Sequence, residues 1–381
     1  MADQSSSTTE ANRGLRVQRG CILAYRVFDV ADEINLDEAE RLLADAPGKR
    51  RVILRRDAAQ VLEFTAPPVD IEIGKRTLGL TTREAVEALL SVRFFDYGAV
   101  SVEFELDIAP GTELASLIPL CSEVYESPRL EEVARKELDS LLSRIKGALQ
   151  GQHDWGGVET YTVVFFQSID NCPPCAELVD SPLIAKLLLG EAQGKELSED
   201  ARRDVLRYTH SYFEDDIAVI DWNSAFVLEP TGNRDIPEIL EFATSQLLEL
   251  RYYDSTLDAE LGRIYDDFAL ARRDWRSIFR SPYERLARNV LRRFVELAEF
   301  TERVDNALKV VGDFYLARVY QSAVRRFRLP AWRESIDGKQ ALVARAYDLL
   351  KGEVDIRRST LLEFVVIALI ALELLVAFRA R

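Results

Sequence analysis

The stretch YGAVSVEFELDI, residues 97–108, decides the fold. Val100, Val102, Phe104, Leu106 and Ile108 point one way along an extended chain, and Ser101, Glu103, Glu105 and Asp107 point the other. Side chains alternate across a strand with period two. The pattern therefore predicts a strand with one face in a core and one face in water. Tyr97 and Gly98 read as a turn that joins RFFD (93–96) to this strand, so a hairpin is expected.

The same reading extends in both directions. CILAYRVFDV (21–30), RVILRR (51–56), VDIEIG (69–74) and ETYTVVFFQS (159–168) have strand patterns. LDEAERLLAD (36–45) puts Ala39, Leu42 and Leu43 on one helical face. TTREAVEALL (81–90) predicts a helix with Thr81 or Thr82 as its N-cap. RLEEVARKELDSLLSRIKGALQ (129–150) is a longer helix. IAVI (217–220) and AFVL (225–228) flank DWNS, which gives a second hairpin. Together they predict an α+β domain over 19–234, after a disordered polar tail at 1–18.

From residue 235 the period changes. Leu240, Ala243, Leu247, Leu250, Asp254, Leu257, Leu261, Ile264, Phe268 and Ala271 recur at alternating spacings of three and four, the seam of a coiled-coil-like helix. Asp254 is its polar exception. Ser281-Pro282 breaks the run. A second seam follows from Val290 through Phe294, Leu297, Thr301, Val304, Leu308 and Val311 to Tyr315. This predicts a long antiparallel helical hairpin over 235–330, roughly 65 Å long at 1.5 Å per residue. Pro330 is expected to end its second helix. A membrane-proximal helix at 331–360 and a C-terminal transmembrane helix at 361–378 complete the expected architecture.

Sixteen of the eighteen residues at 361–378 are apolar, at the short end of what spans a bilayer. Glu363 and Glu373 interrupt the run, and each central acid costs about 2.5–3.5 kcal/mol on insertion scales. Ten residues of helix place the two acids about 80° apart, on one polar stripe that would face a partner helix. Arg357 and Arg358 before the segment balance Arg379 and Arg381 after it, so flanking charge does not orient it. A buried core helix in an oligomer is the competing reading. A third helix running back along the hairpin would also place the arginine-rich hairpin tip at membrane depth.

Composition narrows the function. The chain has 381 residues and a net charge of −15, which excludes a general nucleic-acid binder. Four cysteines make no disulfide framework and fit a reducing compartment. The polar N-terminus carries no apolar signal segment. Two histidines, His153 and His210, leave little room for zinc chemistry. No phosphate-binding glycine loop, dinucleotide fingerprint, nucleophile elbow or HExxH motif occurs, so no cofactor is called for.

Several constellations remain. Arg272, Arg273, Arg276, Arg280, Arg285, Arg288, Arg292 and Arg293 gather at the hairpin tip with only Asp274 and Glu284 against them. Such a tip fits an acidic protein, anionic lipid or RNA, or else pairs within this acidic chain. Cys172 and Cys175 have the CxxC spacing of a redox pair, whose chemistry needs a lowered thiol pKa. His210, Glu214, Asp215, Asp216 and Asp221 could hold a divalent cation for a metal-assisted hydrolase, or simply form a solvated turn. Asp221, Trp222 and Asn223 form a turn that could touch a ligand or pack locally.

Phe95-Asp96-Tyr97-Gly98, the long helical pair, TERVDNALKVVGDFYLARVY (301–320) and LLEFVVIALIALEL (361–374) resemble the "required for meiotic nuclear division" family, which includes the YagE and Sad1-interacting-factor branches. In that resemblance Leu362, Glu363 and Phe364 open the tail motif and Glu373 is its late acid. The resemblance implies a membrane-tethered protein without a known catalytic activity. The expectation is thus a non-enzymatic scaffold at the inner (cytoplasmic) membrane with its bulk in the cytoplasm. Its partners would be the lipid bilayer and further copies of itself as a homo-oligomer.

Overall fold

A computed structural model describes residues 14–44, 50–51, 67–82, 85–191, 196–273, 295 and 314–379. The strands are β1 (Arg16–Asp29), β2 (Glu33–Ile34), β3 (Arg50–Arg51), β4 (Val69–Leu78), β5 (Val86–Phe94), β6 (Ala99–Asp107), β7 (Thr112–Glu113), β8 (Leu149–Gln150), β9 (Val158–Asp170), β10 (Thr209–His210), β11 (Ile217–Ile220) and β12 (Ser224–Leu228). The helices are α1 (Leu36–Leu42), α2 (Ile118–Tyr125), α3 (Pro128–Arg144), α4 (Cys175–Asp180), α5 (Pro182–Leu189), α6 (Glu199–Val205), α7 (Asp235–Arg273), α8 (Phe314–Arg326) and α9 (Leu329–Arg379).

One mixed sheet runs β10-β11-β12-β9-β1-β6-β5-β4-β3, with β7 beside one end of β1. All its pairings are antiparallel except β9 with β12. β2 and β8 form a separate ribbon. One sheet face carries Ile22, Ala24, Phe104, Leu106, Val164, Phe166 and Phe226 into the main core with α2, α3 and α5. Local signals set these helices. Ser127 caps α3 by accepting from the Leu130 N–H, Pro128 opens it, and Leu130, Ala134, Leu138 and Leu141 bury one stripe. Ser181 and Pro182 open α5 in the same way, and left-handed Gly190 closes it.

The opposite sheet face is covered as well, and this corrects the expectation of a wet face on β6. Ser101 is fully buried, and Glu103 and Glu105 are half-buried. The first half of α7 lies over them. Residues 241–250 are buried on every side, as a helix must be when it lies between two layers. The outer layer there is α8, whose Tyr320 hydroxyl donates to Gln246 at 2.7 Å and whose ring meets Phe242.

A second correction concerns 81–90. The helix expected there is strand from Val86 onward. Ala88, Leu90, Val92 and Phe94 are buried at every second position, and pairing with β4 and β6 overrides the helical preference of Glu, Ala and Leu. The N–H groups of Thr81 and Thr82 go to the Glu123 carboxylate instead of capping a helix. A third concerns Pro330. The helix before it ends at Arg326, Arg328 turns the chain with φ +57°, and Pro330 sits in the first turn of α9, where its missing N–H costs nothing.

The chain divides into two compact units, one of residues 1–252 with 304–330, the other of 253–303 with 331–381. In the second unit Asp254, the polar exception in the seam, accepts from the Ser335 hydroxyl at 2.7 Å and from Lys339 at 2.8 Å. Lys339 also reaches Asp258 at 2.7 Å. Seam residues Leu257 and Ile264 are buried, as are Ile336 and Val343 of α9. The hairpin tip and most of the second seam lie outside the described residues. That includes Arg276, Arg280, Arg285, Arg288, Arg292 and Arg293, while Arg272 and Arg273 lie on α7 with their side chains outside the description.

The transmembrane helix expected at 361–378 is not found: among the described residues no helix is long and apolar enough to cross a membrane. α9 does run through the segment. Eight of its eighteen side chains, Glu373 included, lie outside the description. Of the others, Leu362, Val365, Val366, Ile367, Leu369, Ile370 and Leu372 are exposed large apolar groups, and Glu363 is exposed beside them.

Candidate functional site

The sheet face under α7 gathers the polar chemistry of the α+β domain. Residues directly opposed across strands share a face. One row runs Asp70, Arg93, Ser101, Val27, Glu159 from β4 to β9, and the next runs Glu72, Ser91, Glu103, Tyr25, Tyr161. Arg93 makes a two-pronged contact with Asp70, at 2.7 and 3.0 Å. It also donates to Glu241 of α7 at 2.5 Å and lies 3.5 Å from Glu238. Burial works against the Arg93 charge, but Glu241, Asp70 and Glu238 outweigh it and raise its pKa. Arg234, just before α7, grips Glu105 at 2.9 and 2.5 Å and approaches Glu103 at 3.9 Å. Burial pushes the Glu241 carboxyl up to about 8, only partly offset by Arg93.

The Phe95-Asp96-Tyr97-Gly98 turn closes this layer at one end. The Gly98 N–H donates to the Phe95 carbonyl, and the Asp96 carbonyl accepts from the Ile34 N–H at 2.8 Å. The Tyr97 hydroxyl hydrogen-bonds the Ser245 hydroxyl of α7 at 2.6 Å. Phe95 and Tyr97 stack at 5.3 Å and both meet Phe242. The turn is thus a clamp between the β5–β6 hairpin and α7. Sequence reasoning marked these four residues by resemblance and did not see what they hold.

The Asp221-Trp222-Asn223 turn borders a cleft of about 230 Å³ with Glu126, Glu159 and Arg251 on its walls. Arg251 pairs with Glu159, and Trp222 is 43% exposed. This volume falls below the roughly 300–1,000 Å³ of small-molecule pockets. Asp221 itself turns inward to Arg326 of α8. Asp216 is buried and accepts from the N–H groups of Tyr212 and Phe213 at 2.7 and 3.0 Å. Glu214 and Asp215 are exposed, and His210 meets Ser322 at 2.8 Å. The acidic run is therefore distributed among separate local contacts. Among the described residues no group of His, Cys, Asp or Glu could hold a metal ion.

Cys172 is half-buried and Cys175 buried at the first position of α4, both as free thiols. Burial raises both pKa values. Cys175 reaches about 11, helped by Cys172, Asp216 and Asp215. A redox nucleophile needs the opposite shift.

His153 carries a pairing the sequence did not disclose. Its Nε2 lies 3.0 Å from the buried Asp29 carboxylate, its Nδ1 3.0 Å from the Gly151 carbonyl, and its ring stacks on Tyr252 at 4.5 Å. Burial disfavours its charge, but Asp29 outweighs burial and raises the pKa. The ring thus lies between the Asp29 carboxylate at the end of β1 and the Gly151 carbonyl of the loop.

The comparisons with known proteins fall on this domain. The family described as "Uncharacterized protein MJ0711, N-terminal domain" matches residues 19–235, more than half of the chain. The chain belongs to this family. The match ends where α7 begins. The MJ0711 protein of Methanocaldococcus jannaschii is 23% identical over 223 residues, which cover 58% of this chain and 66% of that protein. No solved structure matches. The "required for meiotic nuclear division" resemblance is not confirmed by these matches.

Proposed function

We propose that the protein is a membrane-tethered, non-enzymatic scaffold that self-associates through its helices. The observation that carries this reading is the apolar surface of α9. Leu362, Val365, Val366, Ile367, Leu369, Ile370 and Leu372 are all exposed. At 100° per residue these seven span about 220° of the helix, and the exposed Ala368 and Ala371 occupy the remaining arc. A helix that is apolar all round needs a bilayer or a bundle interior, because a one-sided groove would leave half of it in water. The unbroken apolar sequence from Leu374 to Phe378 and the resemblance of 361–374 to the tail of the "required for meiotic nuclear division" family favour the bilayer.

On this reading the α+β domain stays on the cytoplasmic face of the inner membrane. Glu363 and Glu373 face another copy of the helix, where paired acids cost less than lone ones. The arginines at 272–293 meet acidic protein, anionic lipid or RNA. The metal-assisted hydrolase has less support, since Asp216 and Asp221 are engaged in internal contacts. Carbonate extraction of membranes carrying full-length protein, beside a chain truncated after Arg358, tests the tether. Full-length protein should stay in the pellet and the truncated chain should be released. Release of both overturns the proposal.

A further inference from the structure

The turn between β10 and β11 presents two aromatic rings to solvent. Tyr212 is 61% exposed and Phe213 63%. Their rings meet edge to face at 4.7 Å, and Tyr212 also lies 5.3 Å from Tyr315 of α8. Both oxygens of the buried Asp216 carboxylate hold this turn, accepting from the Tyr212 N–H at 2.7 Å and the Phe213 N–H at 3.0 Å. The turn is therefore fixed before anything binds, which lowers the ordering cost of a contact. Beside the rings is a cavity of about 120 Å³ with Tyr315, Leu316 and Ile236 as its apolar wall. That volume admits one side chain and is far below the roughly 300–1,000 Å³ of small-molecule pockets. Clustered exposed apolar groups with a polar rim mark interaction surfaces.

The rim is acidic. Asp216, Glu229 and Asp235 line the cavity, and Glu214 and Asp215 follow the two rings along the turn. Glu229 accepts from the Thr231 N–H at 3.1 Å and its hydroxyl at 2.7 Å, and Asp235 accepts from the Asn233 amide at 2.8 Å. These donors are neutral, like those on Asp216. Among the described residues none of the five acids forms an ion pair. Burial and then the charge of Arg318, one turn along α8 from Tyr315, lower the His210 pKa, and Arg318 pairs with none of the five. Exposed rings beside carboxylates that have no ion pair suit an arginine. Its guanidinium stacks on a ring face and donates to carboxylates in parallel pairs.

We propose that this patch receives the arginine-rich segment 272–293 of a second copy of the chain. The segment holds eight arginines against Asp274 and Glu284, a charge of +6 in a chain of net −15. Trp275, Phe279 and Tyr283 recur at every fourth residue, and Arg272, Arg276 and Arg280 do the same, so each ring follows an arginine by three residues. The segment thus offers the two groups that the patch matches, a guanidinium and an aromatic ring. Two copies of so acidic a chain repel each other, and opposed patches of unlike charge overcome this and set the register of approach. On the helical hairpin read from the sequence, the arginines begin roughly 55 Å along the first helix from residue 235, which favours a second copy over the same chain. A reciprocal exchange of the contact closes a dimer. The inference rests on the self-association proposed above, names its contact, and does not depend on the membrane tether.

Full-length protein in detergent and a labelled peptide of residues 270–295 test it. Sedimentation should show a dimer that excess peptide and high salt convert to monomer. Fluorescence anisotropy should show the peptide binding. The double variant Tyr212→Ala, Phe213→Ala should weaken that binding at least about tenfold. Glu214→Lys with Asp215→Lys should weaken it too, and should gain affinity for a peptide carrying Arg276→Glu and Arg280→Glu. All four protein positions are exposed, so these variants keep the fold. Unchanged peptide binding in both double variants overturns the proposal. So does a protein that binds the peptide but is monomeric at every salt concentration, which gives the patch to another occupant. Carbonate extraction reads the tether alone, so its failure leaves these outcomes unchanged.

Discussion

Gly98 is the residue at which a single methyl group should do most damage. Its φ is +101°, and a Cβ built there would lie 1.7 Å from the Ala31 carbonyl oxygen and 2.8 Å from its carbon. Gly74 supplies an internal control. Its φ of +96° is nearly the same, but nothing lies within 4 Å of its Cβ position. Gly74→Ala therefore measures the backbone penalty alone, about 1–3 kcal/mol. Gly98→Ala carries that penalty and must also move the turn by roughly 1.5 Å to restore an ordinary carbon–oxygen contact. Three hydrogen bonds depend on the turn's position: Val30 N–H to Gly98 O at 3.2 Å, Ile34 N–H to Asp96 O at 2.8 Å, and Tyr97 to Ser245 at 2.6 Å. At about 1 kcal/mol each, their loss brings the total to about 4–6 kcal/mol, comparable with the stability of a whole domain. Urea unfolding of both variants measures the difference. Equal losses for Gly74→Ala and Gly98→Ala would refute the steric reasoning.

Two further outcomes are expected. Arg326→Ala leaves the Asp221 carboxylate buried without its guanidinium, which should cost about 3–5 kcal/mol. Adding Asp221→Asn should recover part of that loss, and a double variant less stable than Arg326→Ala would count against it. His153 has a raised pKa in the folded protein, so its stabilisation is complete below about 6.5, the unfolded value, and is lost as pH rises through the folded one. The gap in unfolding free energy between wild type and His153→Ala should be about 1–2 kcal/mol in mild acid and shrink toward alkaline pH. A gap that widens with pH would exclude the pairing.

The β6 alternation was enough to place a strand and its hairpin, because period two is a local signal. The fate of its acidic face was not legible, because the cation that meets Glu103 and Glu105 is Arg234, more than a hundred residues further on. Residues 86–90 misled for a related reason. Glu, Ala and Leu favour a helix locally, and only the two neighbouring strands make them extended. Pro330 marks a boundary in the sequence without showing its side, since a proline that stops one helix also suits the first turn of the next. The same limit applies to the candidate site. Cys172 and Cys175 have a redox spacing, while the burial that raises their pKa values is a tertiary property.

The position of β1 has a consequence for synthesis. It is made first, yet it is the centre of the sheet, with β6 on one side and β9 on the other. Cys21 pairs with Phe165, some 140 residues downstream. At roughly 5–20 residues per second, the ribosome takes about 7–30 s to supply that second edge. During this time one edge of an apolar, fourteen-residue strand has no partner. The nascent chain thus carries an unpaired β1 edge until β9 has been synthesised.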